Sequence, residues 1–492
     1  MPSRKLNRRT FVAESSLAVA AAARLNLAHA AEPSDAQHAT SRQATGVRIG
    51  EVTVSTAIVW TRLTANATRN NNGVLIPGRA NRKKAEELAK VTVPVEQLEG
   101  ACPGTAGRVR LRYGTKEDLS NATATEWIDV TEKTDFIHQF ALAKLQPSLR
   151  YYYSSDTACP SGKPVHEPLR GTFVTAPAAD AMKELRFCVM TCQGYPDRGH
   201  PDGHAIYPAM QALNPSFACL TGDLVYYDND EPRALTARLA RYHWERMFSL
   251  PRLREFTRNV ATYWLKDDHD TLNNDSWSGK SMGELTFAEG QKIFRQQAPL
   301  SDGPSYRTFR WGHDLQLWFT DGRDFRSPNN MPDGPAKTIW GNEQKAWFKK
   351  TVAESDATWK VLVSPTPLVG PDRQGKNDNH ANAGFQHEGD ELRGWLREHV
   401  RENFFVICGD RHWQYHSIHP QTGLHEFSVG PASNEHAGGT PGHDPKIHQF
   451  HRVKGGFLAV NVLRSEGQAK ILFELRDVDG TVVYEWSKMR KV

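Results

Sequence analysis

The apolar positions of this chain change rhythm near residue 180. Between about 44 and 176 they alternate with polar ones, as in 46–60 ("GVRIGEVTVSTAIVW"), 107–113 and 149–155, and turn residues separate the runs. Alternation of period two places one face of a strand in a core, so this stretch predicts an N-terminal β-sandwich domain of the immunoglobulin or fibronectin kind over 44–176. The segment "TAPAADA" (175–181) reads as a linker. From about 185 short apolar runs (185–191, 217–221, 260–265, 315–320, 359–364 and 404–408) alternate with helical stretches, among them 205–213, 341–354 and 388–400. That alternation predicts an α/β domain over 182–492. Its last part changes again: 457–462, 469–475 and 481–486 are joined by "SEGQ" and "DVDG" as a meander of hairpins. A mixed domain that closes with antiparallel strands predicts a double β-sheet sandwich flanked by helices rather than one doubly wound sheet.

The first thirty residues belong to neither pattern. Residues 4–9 are basic, 17–23 form a short alanine-rich apolar run, and Ala28-His29-Ala30 is a small-x-small cleavage site. Arg8-Arg9 is followed by Thr10, Phe11 and Val12, the form of a twin-arginine signal. Residues 1–30 therefore read as a bacterial export signal, with the twin-arginine translocation machinery as partner and the periplasm or the exterior as destination. That route carries folded proteins, often with a metal already loaded. No apolar run reaches the ~18 residues of a membrane span, so no transmembrane anchor is expected. Composition adds only exclusions. At 39% hydrophobic and 24% charged residues the chain is neither disordered nor collagen-like. Nearly all of the formal charge of +5 lies in residues 1–30, where Arg4, Lys5, Arg8, Arg9 and Arg24 face one acid, Glu14. The remainder is close to neutral and offers no nucleic-acid-binding surface.

Candidate chemistry collects where the apolar runs stop. Open α/β sheets bind ligands beyond the carboxyl ends of their strands, because the loops there converge. The residues at those ends are Cys192-Gln193; Gly222-Asp223 with Tyr226; Asp267-Asp268-His269-Asp270 with Asn273 and Asn274; Asp321 with Arg323 and Asp324; Pro365-Thr366; and Gly409-Asp410 with His412. Singly, Gly222-Asp223 is an ordinary turn and Cys192 an ordinary buried thiol. Together, five of the six ends carry a carboxylate, thiol or imidazole. Asp223, Asp268, Asp270 and Asp410 brought into one pocket would repel each other by several kcal/mol at ~4 Å and an effective dielectric near 20. Either some of them stay protonated or a multivalent cation sits among them, and His412, Cys192 and Tyr226 at the same ends favour the cation. Thiolate and phenolate donors such as Cys192 and Tyr226 call for a strongly polarising, ferric-type ion, and oxygen donors suit a second, harder divalent ion. Two such ions clamp a displacement at phosphorus.

In this order, Cys192, "GDLVY" (222–226), "DDHDTLNN" (267–274), "TDGRDFRS" (320–327) and "GDRH" (409–412) resemble the PhoD-type alkaline phosphatases of the calcineurin-like metallophosphoesterase superfamily, which are related to purple acid phosphatases. The stretch 341–369, the twin-arginine signal and the leading sandwich fit that family too. The resemblance implies an exported phosphatase or phosphodiesterase that acts on a phosphate ester with two metal ions, Fe3+ and a divalent ion such as Ca2+. It implies that Asp223 bridges the ions, that Cys192 and Tyr226 ligate the ferric ion with the metal-site residue His412 nearby, and that Asp268 and Asp410 hold the second. It further implies that His269 acts as proton donor or transition-state stabiliser, that Arg323 contacts phosphate oxygens, and that a hydroxide on the metals is the nucleophile.

Three positions depart from the family pattern. Lys266 replaces the usual aromatic before the double aspartate, Asp270 replaces Glu, and the family's Asp-Gly-Tyr…Arg segment is replaced by 377–391 ("NDNHANAGFQHEGDE"). With Asn274, the histidines His380 and His387 of that stretch are candidates for an altered substrate rim. The departures also leave room for a second reading, a catalytically degenerate relative that binds extracellular polymer or cell wall.

Overall fold

The apolar runs from 185 onward are strands buried on both faces, and their alternate residues enter different cores. A computed structural model describes residues 41–77, 91–160 and 166–491; the expected export signal at 1–30 lies outside the described residues. In Leu185–Met190, Phe187 and Val189 face a central core while Cys188 and Met190 face helices. The strands Phe217–Thr221 and Ala261–Leu265 divide in the same way. In Leu315–Phe319, Trp359–Ser364 and Phe404–Cys408, the residues Leu317, Val361 and Ile407 join the same central core, whereas Trp318, Leu362 and Val406 pack on Phe348, Val352, Leu392 and Leu396 of two helices. Two sheets therefore face each other with helices outside both, which is the double sandwich expected from the sequence.

One sheet has nine strands among the described residues, and Leu185–Met190, Phe217–Thr221 and Ala261–Leu265 run parallel in it. The other has seven, with Leu315–Phe319, Trp359–Ser364, Phe404–Cys408 and His425–Val429 parallel. The meander Phe457–Ser465, Gln468–Arg476 and Val482–Lys491 extends the first sheet antiparallel beside Leu185–Met190. The helices Ile206–Ala212, Gly341–Glu354 and Gln386–His399 lie within two residues of the expected bounds. Ala237–Phe248, Pro251–Asn259 and Phe287–Gln297 are additional helices. The last of these opens with a capping box, Thr286 with Glu289, a signal legible in the sequence.

The N-terminal sandwich packs Val47, Ile49, Val59 and Phe140 against Val109, Leu111, Tyr151 and Phe173. One of its leaves, however, is not its own. Val47–Gly50, Ala57–Arg62 and Ile137–Leu142 continue the nine-stranded sheet, because Val47–Gly50 runs parallel to Ala261–Leu265 with Gly50 opposite Thr262. The Thr262 hydroxyl donates to the Ile49 carbonyl at 2.6 Å, and the Glu51 amide donates to the Thr262 carbonyl at 3.2 Å. A Cβ at Gly50 would stand 2.3 Å from the Pro299 carbonyl oxygen, so only glycine permits this contact.

A histidine pair lies where the last strand crosses the seven-stranded sheet. His416 Nε2 and His425 Nδ1 are 2.9 Å apart, and His416 Nδ1 meets the Tyr484 hydroxyl at 2.8 Å. Burial, reinforced by His425, lowers His416 to about 3; burial, reinforced by Lys488, lowers His425 to about 4. Lowered imidazole values mean that the unfolded chain takes up protons first. The pair's contribution to stability is complete above about pH 6.5 and is lost as pH falls toward 4 and 3, by up to ~1.4 kcal/mol per pH unit for each proton. Melting temperature measured from pH 7 to 4 is expected to fall less steeply in His425→Phe than in the unaltered protein.

Candidate metal centre

The parallel strands of both sheets end at one place, and glycine lets them meet. A Cβ at Gly409 would lie 2.6 Å from Thr221 O, 2.8 Å from Thr191 Oγ1 and 2.9 Å from Pro365 O, so three other strand ends close on this residue. Gly222, at φ +97°, passes Asp267 at a distance that no Cβ could occupy. The residues beside these contacts carry the donors. Cys192, Asp223 and Asp410 all adopt left-handed backbone, at φ 51°, 54° and 61°. This conformation is uncommon for residues other than glycine, with Asn and Asp the most tolerant, and it persists where surrounding structure over-determines it. Here each strand turns sharply at its end and aims the side chain into the shared space.

Asp223 is the hub. Its Oδ2 lies 3.5 Å from Cys192 Sγ and 3.3 Å from Tyr226 Oη, and Tyr226 Oη lies 3.4 Å from His412 Nε2. Donor atoms fall into three groups, each within 4.8 Å: Cys192, Asp223 and His412; Asp223, Asp268 and His269; and Asp223, Asp267 and Asp410. Asp223 Oδ1 and Asp267 Oδ2 are buried oxygens without hydrogen-bond partners, whereas Asp268 Oδ1 faces Arg323 and Asp410 Oδ2 is paired with the buried Arg411. Buried acceptors are almost always satisfied in folded proteins. Burial pushes Asp223 well above the carboxylate range, opposed by His269 and reinforced by Asp268 and Asp267. Burial, together with Asp223, also raises the Cys192 thiol. Four carboxylates, two of them with unspent oxygens, a thiol, a phenol and an imidazole fit a pair of cations: Cys192, Asp223 and His412 form a sulfur- and nitrogen-bearing set, and Asp223, Asp267 and Asp410 an all-oxygen set.

Charged groups behind the donors set their positions. The Asp270 carboxylate accepts the amides of Leu224 (3.1 Å) and Asp267 (2.6 Å), tying the 222–226 turn to the 267–270 turn. Burial raises Asp270 to about 8. Arg323 has no exposed surface. Its Nε meets Asp267 Oδ1 at 2.5 Å, and its guanidinium faces Asp268 Oδ1 at 3.6 Å. Burial, opposed by Arg323, brings Asp267 to about 7. At Asp268, Arg323 and His269 outweigh burial and hold the carboxyl below its usual range. Lys266 is buried and paired with Asp321, and with Asp324 at 2.8 Å, so this lysine comes with its own counter-charges. His269 Nδ1 meets Asp228 Oδ1 at 2.5 Å, which leaves Nε2 for the centre. Burial works against the His269 charge, but Asp228, Asp268 and Asp223 outweigh it, and the imidazolium is strongly favoured.

Cys192, Asp223, Tyr226, Asp268, His269, Asp410 and His412 are thus brought together, with Arg323 directly behind the carboxylates. The rim residues divide. Asn274 sits beside the centre, its amide donating to Asp228 Oδ2 at 2.9 Å. His380 is not at a rim: it is buried under Trp340 with Nε2 on Glu388 Oε2 at 2.9 Å, because Glu388 needs partners at the start of its helix. His387 is exposed in the first turn of that helix, its amide on Asp333. Two residues near the centre escape the sequence reading, while Asp267, one of the strand-end residues, joins Asp223 and Asp410 there. Asp228 lies two residues past Tyr226. His436 follows a seventh strand end, His425–Val429, whose "GPASNEH" continuation carries the same turn-then-ligand signal as the others.

The family model of the PhoD-like phosphatases matches residues 187–457, and the model of the PhoD-like phosphatase N-terminal domain matches residues 28–177. Among solved structures the chain is similar to that of PhoD, with a TM-score of 0.67, 18% identity, and 91% of this chain and 88% of that one covered. It is also similar to purple acid phosphatase PPD1 from yellow lupin (Lupinus luteus) seeds, with a TM-score of 0.60, 14% identity, and 90% and 73% covered. At these identities the two likenesses show the fold. No curated protein sequence matches this one.

Proposed function

Because the chain belongs to the PhoD-like phosphatase family, we propose that it is an exported hydrolase of phosphoric esters that works with two metal ions. It is a metal-dependent phosphatase. The finer reading assigns Cys192, Tyr226 and His412 to a ferric-type ion, Asp268 and Asp410 to a divalent ion such as Ca2+, and Asp223 to both. One observation carries it: the left-handed turns at Cys192, Asp223 and Asp410 bring a thiol and two carboxylates into one space, with Asp223 Oδ1 unspent. When bound, two cations supply polarisation of the phosphoryl oxygens and activation of water. The chain's own residues do the rest. His269, charged and held at Nδ1 by Asp228, presents Nε2 to the phosphoryl group and holds the proton that a leaving alkoxide needs. Arg323 opposes the effect of burial on Asp267, keeps Asp268 ionised and holds both in register, and its guanidinium supplies positive charge from behind the carboxylates to a bound phosphate. Residues 1–30 support passage through the twin-arginine machinery to the periplasm or exterior.

The test is hydrolysis of p-nitrophenyl phosphate and of its bis-ester by purified protein, with and without chelator, alongside iron and calcium analysis. Turnover that chelation removes and metal restores is expected. Metal-free protein without chelator-sensitive turnover overturns the proposal and favours a non-catalytic, polymer-binding relative.

A further inference from the structure

We infer that His436 is a positioning residue of the metal centre, holding the rings of His412 and Tyr226 in place while Asp197 holds it. The inference rests on the metal-centre reading above. His436 belongs to the loop that leaves His425–Val429, and that loop is bonded to the centre on both sides of it. Pro431 bridges Thr191, and the Ala432 amide donates to the Cys192 carbonyl at 3.1 Å. Beyond His436, the Gly438 amide donates to the His412 carbonyl at 3.0 Å. Asn434 closes the turn between them, accepting the Ala437 amide at its carbonyl (3.2 Å) and the Gly455 amide at Oδ1 (3.1 Å). The backbone of this loop is thus registered directly on two of the residues assigned to the first ion.

The side chain completes the arrangement. His436 is 4% exposed. Its ring centroid lies 4.3 Å from that of His412, at 74°, and 5.0 Å from that of Tyr226, at 49°. A buried ring against both restricts rotation of each about its terminal side-chain bond. Its own rotation is restricted by Asp197, whose Oδ2 lies 2.8 Å from Nδ1. Asp197 stands five residues past Cys192, so one loop supplies a thiol donor and the carboxylate that anchors the ring packing on the other two donors. Groups that orient metal ligands from behind typically change metal affinity or activity by 10–100-fold when removed.

His436→Phe keeps a ring of similar size in the packing but cannot bond Asp197, and Asp197→Asn alters the same bond from the other side. The unaltered protein and both variants, freed of metal, are titrated with Co2+ while the visible absorption of thiolate- and phenolate-coordinated cobalt is recorded. The proposal expects each variant to bind Co2+ about tenfold or more weakly than the unaltered protein and to shift the band, with kcat lowered and KM for p-nitrophenyl phosphate little changed. A purely structural role would lower the melting temperature without moving the band. His436→Phe with unaltered Co2+ affinity and spectrum overturns the inference alone. An unaltered protein that develops no such band overturns the metal-centre reading, and this inference with it.

Discussion

Asp223→Asn is expected to lower hydrolysis of p-nitrophenyl phosphate by about 10³-fold or more, the several kcal/mol that metal ions supply to transition-state charge. Asp223 belongs to all three donor groups, with Oδ2 beside Cys192 and Tyr226 and Oδ1 unspent. Asparagine keeps the shape but leaves one neutral oxygen where two ions must be held. It also tolerates the left-handed backbone found at this position. Removing a charge that burial and Asp267 and Asp268 already disfavour relieves repulsion, so the metal-free variant is expected to melt no lower than the unaltered protein. Loss of turnover and of bound metal at undiminished melting temperature is therefore the signature. Turnover within tenfold of the unaltered protein would show that no ion pair is held at Asp223.

Lys266→Met is expected to cost about 3–5 kcal/mol of stability, the penalty for leaving a buried charge unpaired. Lys266 is 4% exposed, and its ammonium is shared by Asp321 and by Asp324, the latter at 2.8 Å. Both acids lie on the turn that carries Arg323, and Asp321 Oδ1 accepts the amides of Arg323 (2.8 Å) and Asp324 (2.7 Å). Methionine fills the volume, but the two carboxylates then lack their cation. The unfolding midpoint should fall accordingly, and Asp321→Asn in the same chain should restore part of it, because it removes one of the stranded charges. A midpoint within experimental scatter of the unaltered protein would mean that water or a neighbouring cation already satisfies those acids. The same pair explains how this chain accommodates a buried lysine here: its charge is matched by acids on a neighbouring strand end.

Much of the fold was legible because strands and helices impose different apolar periods. The runs 217–221, 359–364 and 404–408 coincide with strands, and 341–354 coincides with a helix, since each combines a continuous apolar run or stripe with flanking turn residues. Ala237–Phe248 and Pro251–Asn259 were harder to read because charged residues interrupt their apolar stripes, with Glu245 and Arg246 themselves buried by pairing.

At the centre, residue types and their places at strand ends determined which side chains could serve: Cys192, Asp223, Tyr226, Asp268, His269, Asp410 and His412 all follow apolar runs, and local backbone makes strand ends turn. Tertiary structure alone decided the rest. Gly50 joins a leaf of the N-terminal sandwich to the catalytic sheet, a pairing across more than two hundred residues that no local pattern encodes. His380 is taken up by Glu388, while Asp228 and Asp197 are drawn onto His269 and His436. These partners are chosen by proximity in a low-dielectric interior, where an unpaired charge is costly, and proximity there is set by how two sheets stack rather than by the order of residues along the chain.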